Sequence, residues 1–176
     1  MNWYTGRHVP LWLGIATHLV GFPAVHGLLP WALSLLGARH GWALGLPSAW
    51  NVVGLLPVGA GFYIEYRCMR EHFAAAPSGW QLEKTRYYPT PSYLLTDGPY
   101  RYSCNPIYMA EAVIWLGWMA FYGSFVLAGM ATLALVLGPL VVPREEKGLE
   151  ARFGEAYREY RRTTPRWFGG KKGLGR

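Results

Sequence analysis

Long apolar runs that carry almost no charge constrain this chain more than any other feature. The run from Pro10 to about Gly37 contains no Lys, Arg, Asp or Glu, and a membrane-spanning helix needs only about 20 such residues. Further apolar runs cover about Trp42 to Tyr63, Pro106 to about Tyr122, and about Phe125 to Val142. The pattern predicts an all-α integral membrane bundle, with about four transmembrane helices in a single domain over residues 1–176.

The basic residues predict how these helices are oriented. The chain carries 17 Lys and Arg and a net charge of +7. Of these 17, Arg39 alone lies in the loop between the first two runs, and the other sixteen lie in the N-terminal, central and C-terminal polar regions. Basic residues beside spans follow the positive-inside rule, so we expect both termini to be cytoplasmic and the partner to be the bilayer rather than nucleic acid. The two cysteines, Cys68 and Cys104, lack metal-ligand spacing and predict neither a zinc site nor a cytoplasmic disulfide. The sequence does not indicate an oligomeric state.

The stretch between the two apolar halves is rich in turn and capping residues. Asp97, Gly98 and Pro99 form a turn signal, and Asn105-Pro106 is typical of a helix start. Unpaired backbone N–H groups at such a start favour an anionic group, although an ordinary loop that caps a membrane helix would have the same pattern.

Several residues inside the apolar runs allow two interpretations. Glu111 is an ionisable residue within the third span, which indicates either a functional site or a pairing with a neighbouring helix. His18 and His26 are expected to be neutral and packed. Gly59 and Gly61 permit close approach of a ligand or, more commonly, of another helix.

The C-terminal region is charged and amphipathic. Residues 144–162 predict a surface helix, because apolar and aromatic side chains recur at helical spacing. Glu145 and Glu146 would lie in the first turn of this helix, where the helix dipole stabilises acidic side chains. That dipole effect is the alternative to a ligand contact as the reason for both residues. Glu146 shares the inward face. Residues 167–176 are expected to be a flexible basic tail, and Trp80 to Tyr93 an interfacial loop.

Two blocks of residues resemble a known family of membrane enzymes. The first block resembles the Gly-x-Tyr…Arg-His-Pro-x-Tyr signature of isoprenylcysteine carboxyl methyltransferases and, in its Asn-Pro form, that of phospholipid N-methyltransferases: Gly98-Pro99-Tyr100-Arg101 and Asn105-Pro106-Ile107-Tyr108. The second block resembles the family's Glu-Glu-x-x-Leu…Phe-Gly-x-x-Tyr-x-x-Tyr pattern: Glu145-Glu146, Leu149, Phe153-Gly154, Tyr157 and Tyr160. Gly59-Ala60-Gly61 is similar to the Gly-x-Gly of the phospholipid branch. The strong match covers residues 94–166.

The resemblance implies an S-adenosylmethionine-dependent methyltransferase that acts on a lipophilic acceptor, a carboxylate or an amine, at the cytoplasmic membrane face. It implies cofactor-binding roles for Gly59, Gly61, Tyr100, Arg101, Asn105, Pro106, Tyr108, Glu145 and Glu146. If the acceptor is an amine, Glu111 or Glu146 could take its proton.

Two departures from the pattern leave the substrate open. Asn105 stands where the carboxyl-methylating branch commonly has His, and Cys104 stands where Arg is usual. Two other functions remain as alternatives: an NADPH-dependent membrane reductase of the sterol-reductase type, and a non-catalytic membrane protein on the same scaffold. The reductase would need more basic residues for the phosphates of its cofactor.

Overall fold

The computed structural model describes residues 7–77, 79–84 and 89–169, and these residues are mostly helical, as the apolar runs predict. The helices are α1 (Leu11–Ser34), α2 (Ala49–Val53), α3 (Leu55–Ala75), α4 (Pro106–Tyr122), α5 (Phe125–Phe153) and α6 (Glu155–Thr163), with a 3-10 turn over Gly98–Arg101. The strands are β1 (Arg7–Pro10), β2 (Trp42–Ala43), β3 (Leu46–Pro47), β4 (Gly79–Lys84) and β5 (Pro89–Pro91).

Within the described ranges, two helices, α1 and α5, are long and apolar enough to cross a membrane. Their large apolar side chains are mainly exposed, including Leu19 and Val20 on α1 and Val136 and Leu140 on α5. Exposed apolar surface on this scale suits contact with lipid rather than with water. Helix α4 has 17 residues and the bounds predicted for the third span. The total of four spans stays a prediction.

The prediction of a purely helical fold is incomplete, because the structure adds two small sheets. Strands β1, β4 and β5 form an antiparallel sheet with β4 in the centre, so the predicted interfacial loop over Trp80 to Tyr93 is wrong where β4 and β5 form. The apolar run from Trp42 does not begin as a helix. It forms the β2–β3 hairpin, whose two-residue turn, Leu44-Gly45, has positive φ at both positions.

The helix boundaries in the C-terminal region also differ from the prediction. Helix α5 does not end near Val142 but continues through Pro143 to Phe153. The break falls at Gly154, whose φ of +54° is unfavourable for other residues. Glu145 and Glu146 therefore lie far beyond the first turn of their helix, where the dipole effect has faded. The helix dipole does not explain this pair of acids.

The described residues form two compact units. The polar unit comprises residues 7–15, 66–77, 79–84, 89–106 and 139–169, and the apolar unit comprises residues 16–65 and 107–138. The apolar unit has a core of aromatic and aliphatic side chains from α4 and α5: Trp115, Tyr122, Leu127 and Ala131. The predicted flexible tail, residues 167–176, lies outside the described residues beyond Gly169, and residues 1–6, 78 and 85–88 lie outside them as well.

Helices α3 and α4 pack closely in the apolar unit because small residues line their contact. A Cβ added at Gly61 would lie 2.5 Å from Ile114 Cγ1 and 2.9 Å from the carbonyl oxygen of Ala110. A Cβ at Gly117 would lie 2.7 Å from the backbone nitrogen of Val58. Glycine at these positions lets the two backbones approach, as in other packed membrane helices.

Candidate functional site

The first signature block begins with a tight turn in the polar unit. Gly98 has a φ of +57°, and a Cβ there would lie 2.7 Å from Glu71 Oε1. Tyr100 follows in the 3-10 turn and is buried. Its hydroxyl lies 3.0 Å from His72 Nε2, while His72 Nδ1 lies 2.9 Å from the Tyr93 hydroxyl. Burial raises the pKa of Tyr93 to about 12 and raises that of Tyr100 further, so both phenols are neutral anchors of this turn.

Glu146 is the centre of the polar side chains in this unit. Its carboxylate is 3% exposed and accepts two hydrogen bonds from Arg166, Nε to Oε1 at 2.8 Å and Nη2 to Oε2 at 2.5 Å. Arg161 Nη2 lies 3.6 Å from Oε2. A bidentate arginine on a buried carboxylate is a strong, geometrically specific interaction. Donating these hydrogen bonds to Glu146 also raises the pKa of the Arg166 guanidinium, which stays charged.

The two signature blocks meet at this carboxylate. Asn105 Nδ2, from the first block, donates to Glu146 Oε1 at 3.3 Å and to the Arg166 carbonyl oxygen at 3.2 Å. Asn105 is 8% exposed. Residues separated by 41 positions in the sequence therefore share one buried polar network, and we call the side chains of Asn105, Glu146, Tyr157 and Arg166 the Glu146 cluster.

The segment after α6 is tied to the loop that precedes Asn105. The Cys104 amide donates to the Pro165 carbonyl oxygen at 2.9 Å, and Ser103 Oγ donates to that of Arg166 at 3.1 Å. Tyr160 donates through its hydroxyl to the carbonyl oxygen of Tyr100 at 2.7 Å. Burial raises the pKa of the Cys104 thiol to about 11, so this cysteine is a packed thiol and not a thiolate nucleophile.

Tyr157 contributes the one unusual polar atom of the cluster. Its side chain is 1% exposed, and its hydroxyl has no hydrogen-bond partner among the described residues. Burial raises the pKa of Tyr157, and the nearby Glu146 carboxylate raises it further. A buried hydroxyl without a partner is costly, and within the Glu146 cluster the Tyr157 hydroxyl is the one polar side-chain atom in this state.

The other predicted site residues are placed as follows. Arg101 is exposed and faces Asp97, with Nε 3.5 Å from Oδ1. Pro106 is buried at the start of α4, and Tyr108 and Glu145 are half-buried. Gly59 is exposed with open space around the position of a Cβ, whereas Gly61 is occupied by packing against α4. Helix packing therefore accounts for Gly61 without a ligand.

Glu111 belongs to a second polar group, in the apolar unit. Both of its carboxylate oxygens lie 2.9 Å from His26 Nε2. His26 is packed against neighbouring helices, as expected, and the structure adds its pairing with Glu111, which was not predicted. The sequence could have indicated this pair, because each of two apolar runs carries an ionisable residue and such residues usually pair with one another in a membrane.

Sequence reasoning also missed Arg166, His72 and Tyr93. Arg166 is one of many cations in the tail, and nothing in its local spacing distinguishes it. His72 and Tyr93 are 21 positions apart, and the hydrogen bond between them corresponds to no local spacing pattern. Glu146 of the second block could have indicated that a cation such as Arg166 lies nearby, since a buried carboxylate requires a partner.

The fold and the site together define a helical membrane protein with a buried carboxylate–arginine–amide network. Comparison with known families places it more closely: the chain matches the phospholipid methyltransferase family over residues 49–156, more than half of its length, and belongs to that family. Both ends of the network's Asn105–Glu146 hydrogen bond lie within the matched residues. The chain is thus a membrane methyltransferase by family.

One curated relative and the solved structures complete the comparison. An uncharacterized protein of Haemophilus influenzae is 34% identical to this chain over 62 residues, which are 35% of this chain and 98% of the relative. No solved structure matches significantly.

Proposed function

We propose that this protein transfers a methyl group from S-adenosylmethionine to a lipophilic acceptor at the cytoplasmic face of the membrane. One observation carries the proposal: in a member of the phospholipid methyltransferase family, the two signature blocks meet in a single buried polar network at Glu146. When bound, the cofactor supplies an electrophilic methyl group on a sulfonium.

The residues of the Glu146 cluster fit the polar groups of this cofactor. Two guanidiniums, Arg161 and Arg166, face one carboxylate, which leaves a positive excess suited to the carboxylate of the cofactor's amino-acid part. The Tyr157 hydroxyl lacks a partner among the described residues and offers a donor or acceptor. Glu146 and Asn105 supply acceptors for an ammonium or for ribose hydroxyls.

The chemistry asked of the protein is mainly positioning. A displacement at carbon is accelerated by holding the acceptor in line and by excluding water. A carboxylate acceptor needs no base, whereas an amine must be neutral before it attacks. Glu146 is the buried carboxylate that the polar unit offers for that proton. Glu111, the other base that the resemblance allows, is instead held by His26 at 2.9 Å in the apolar unit. By resemblance to the family we assign further cofactor contacts in the polar unit to Tyr100, Arg101, Pro106 and Glu145.

We also propose a multi-pass arrangement with both termini in the cytoplasm. The support is the charge asymmetry: of 17 Lys and Arg, only Arg39 lies in the loop after the first span. The Glu146 cluster lies in the unit that holds most of the remaining charge, as a water-soluble cofactor requires.

Calorimetric titration of the detergent-purified protein would test the cofactor assignment. We expect binding of S-adenosylmethionine and none of NADPH. Asn105→Ala removes the amide that we propose contacts the cofactor and that also bonds to Glu146 and to the Arg166 carbonyl oxygen. It should weaken binding by about tenfold, the equivalent of one lost net hydrogen bond of about 1–1.5 kcal/mol. Exposed Glu159→Gln serves as the matched control and should bind as the wild type does. Binding of NADPH in place of S-adenosylmethionine would overturn the proposal.

A further inference from the structure

The apolar unit holds three ionisable side chains that converge although they come from three helices. His26 on α1, Glu65 on α3 and Glu111 on α4 each present a potential ligand atom, and these atoms lie within 4.8 Å of one another. His26 and Glu65 are buried, at 5% and 7% exposure, and Glu111 is about one third exposed. We call these three side chains the His26 cluster. It shares no residue with the Glu146 cluster.

The hydrogen bonds of His26 show that this cluster needs a cation. His26 Nδ1 lies 3.1 Å from the Phe22 carbonyl oxygen, which can only accept, so Nδ1 carries a proton and donates it. In neutral imidazole the other nitrogen, Nε2, then presents a lone pair, and it faces two Glu111 oxygens at 2.9 Å. Lone pairs opposed at this distance repel. A proton or a metal ion between them would remove the repulsion.

Glu65 supplies a second and independent indication of a ligand. Its Oε2 atom is buried and has no hydrogen-bond partner among the described residues. A buried carboxylate oxygen without a donor is costly, and carboxylates in such positions are paired, bound to a metal or protonated. One proton on the His26–Glu111 pair would not satisfy this oxygen.

The one Lys or Arg of the apolar unit is engaged away from these two carboxylates. Arg39 is its one Lys or Arg, and the guanidinium of Arg39 donates to Ser34 Oγ at 2.6 Å and lies over the Trp42 and Tyr122 rings at 5.2 and 5.1 Å. A divalent ion would balance the two carboxylates and a neutral imidazole in this apolar setting. Protons on His26 and on one carboxylate would also reach neutrality, and the metal titration below separates the two cases.

We propose that the His26 cluster binds one divalent first-row transition-metal ion, with Zn²⁺ the best match. One imidazole and two carboxylates are ligand types that Zn²⁺ takes, and three protein ligands leave a position open. The Nδ1 donation to a backbone carbonyl is the usual outer support of a metal-binding histidine. His26 also lies in a π-helical segment, Ala24–Leu28, a distortion frequent at functional sites. This site goes beyond the proposed methyl transfer.

Metal binding would be measured on tag-free protein, because a histidine tag would itself bind the probe. Chelator-treated protein in detergent is titrated with Co²⁺, followed by its visible ligand-field absorption, and zinc is counted by mass spectrometry after dialysis. We expect one equivalent of either metal per chain, with Zn²⁺ displacing Co²⁺. A wild-type protein that binds neither metal stoichiometrically would overturn the proposal and leave a shared proton as the cation.

Variants locate the ion. Glu65→Gln and His26→Gln should each weaken binding by at least about 10- to 100-fold, the loss known even for outer supports of a metal site. His18→Gln, two turns earlier on the same helix, is the matched control and should retain the metal. His26→Cys keeps a ligand and should add a thiolate–cobalt charge-transfer band. Unchanged binding in the Gln variants, or no such band in the Cys variant, would refute the assignment.

Discussion

Replacing Glu146 by glutamine would test the centre of the polar unit, because the change keeps the shape and removes the charge. In the wild type the carboxylate is 3% exposed and accepts from Arg166 Nε at 2.8 Å and Nη2 at 2.5 Å, and from Asn105 Nδ2 at 3.3 Å. A glutamine oxygen can still accept from one donor. Its amide group, however, would face the second guanidinium nitrogen, donor against donor.

The cost of this substitution follows from these contacts. A hydrogen bond to a charged group contributes about 1.5–3 kcal/mol, but the Arg166 side chain is 43% exposed and can be partly resolvated. We therefore expect Glu146→Gln to lower the free energy of unfolding by about 2 kcal/mol. For a chain of this size that is about 4–8 °C in Tm. The exposed Glu155, which pairs with Arg158 and Arg162 at the surface, gives the control variant Glu155→Gln, with little change in Tm.

A double-mutant cycle between Glu146 and Arg166 isolates the pair. Thermal unfolding of the wild type, Glu146→Gln, Arg166→Gln and the double variant would be followed by tryptophan fluorescence, at one scan rate and in one detergent. We expect a coupling of about 1–3 kcal/mol, since the residues are in direct contact. A coupling below about 0.5 kcal/mol, the usual scatter of independent sites, would refute the central role given to this ion pair.

Three further predictions concern the scaffold. Gly61→Ala should destabilise the protein by about 1–3 kcal/mol because the added Cβ would meet α4. Gly59→Ala is the control and should not destabilise it, since the space around that Cβ is open. Equal melting temperatures for the two variants would contradict the close packing of α3 against α4. Gly154→Ala should cost about 1–3 kcal/mol through its positive φ, and Gly138→Ala, in a helix with open space, should cost nothing. A cysteine introduced into the basic tail should react with an impermeant label only from the cytoplasmic side, and labelling from the outside would contradict the topology.

The sequence predicted best those elements whose signals are local. The bounds of α4 and the start of α5 follow from a Pro at the first helical position, a continuous apolar run and a short Gly-containing turn. The meeting of Asn105 with Glu146 was expected only from the resemblance to a family, because no spacing rule joins residues so far apart. The resemblance supplied the pair, and the structure supplied its third member, Arg166.

The predictions that failed depend on contacts between distant segments. Strand β4 exists because it pairs with β1, with Arg7 opposite Leu82, and such pairing leaves no periodicity in a six-residue segment. Pro143 was expected to end a span, yet α5 continues through it, since neighbouring structure can compensate for one missing backbone hydrogen bond. The pattern predicts a packed His26 but not its specific partner, because Glu111 lies 85 residues away.

Transfer of a labelled methyl group tests the central claim most directly. Membranes containing the wild-type protein or Asn105→Ala would be incubated with methyl-labelled S-adenosylmethionine and a lipid extract, and the organic phase would be counted against membranes that lack the protein. We predict label in lipid with the wild type and about tenfold less with the variant, the loss expected for one hydrogen bond. Lipid label no higher than in membranes without the protein, or equal label with both forms, would contradict the account.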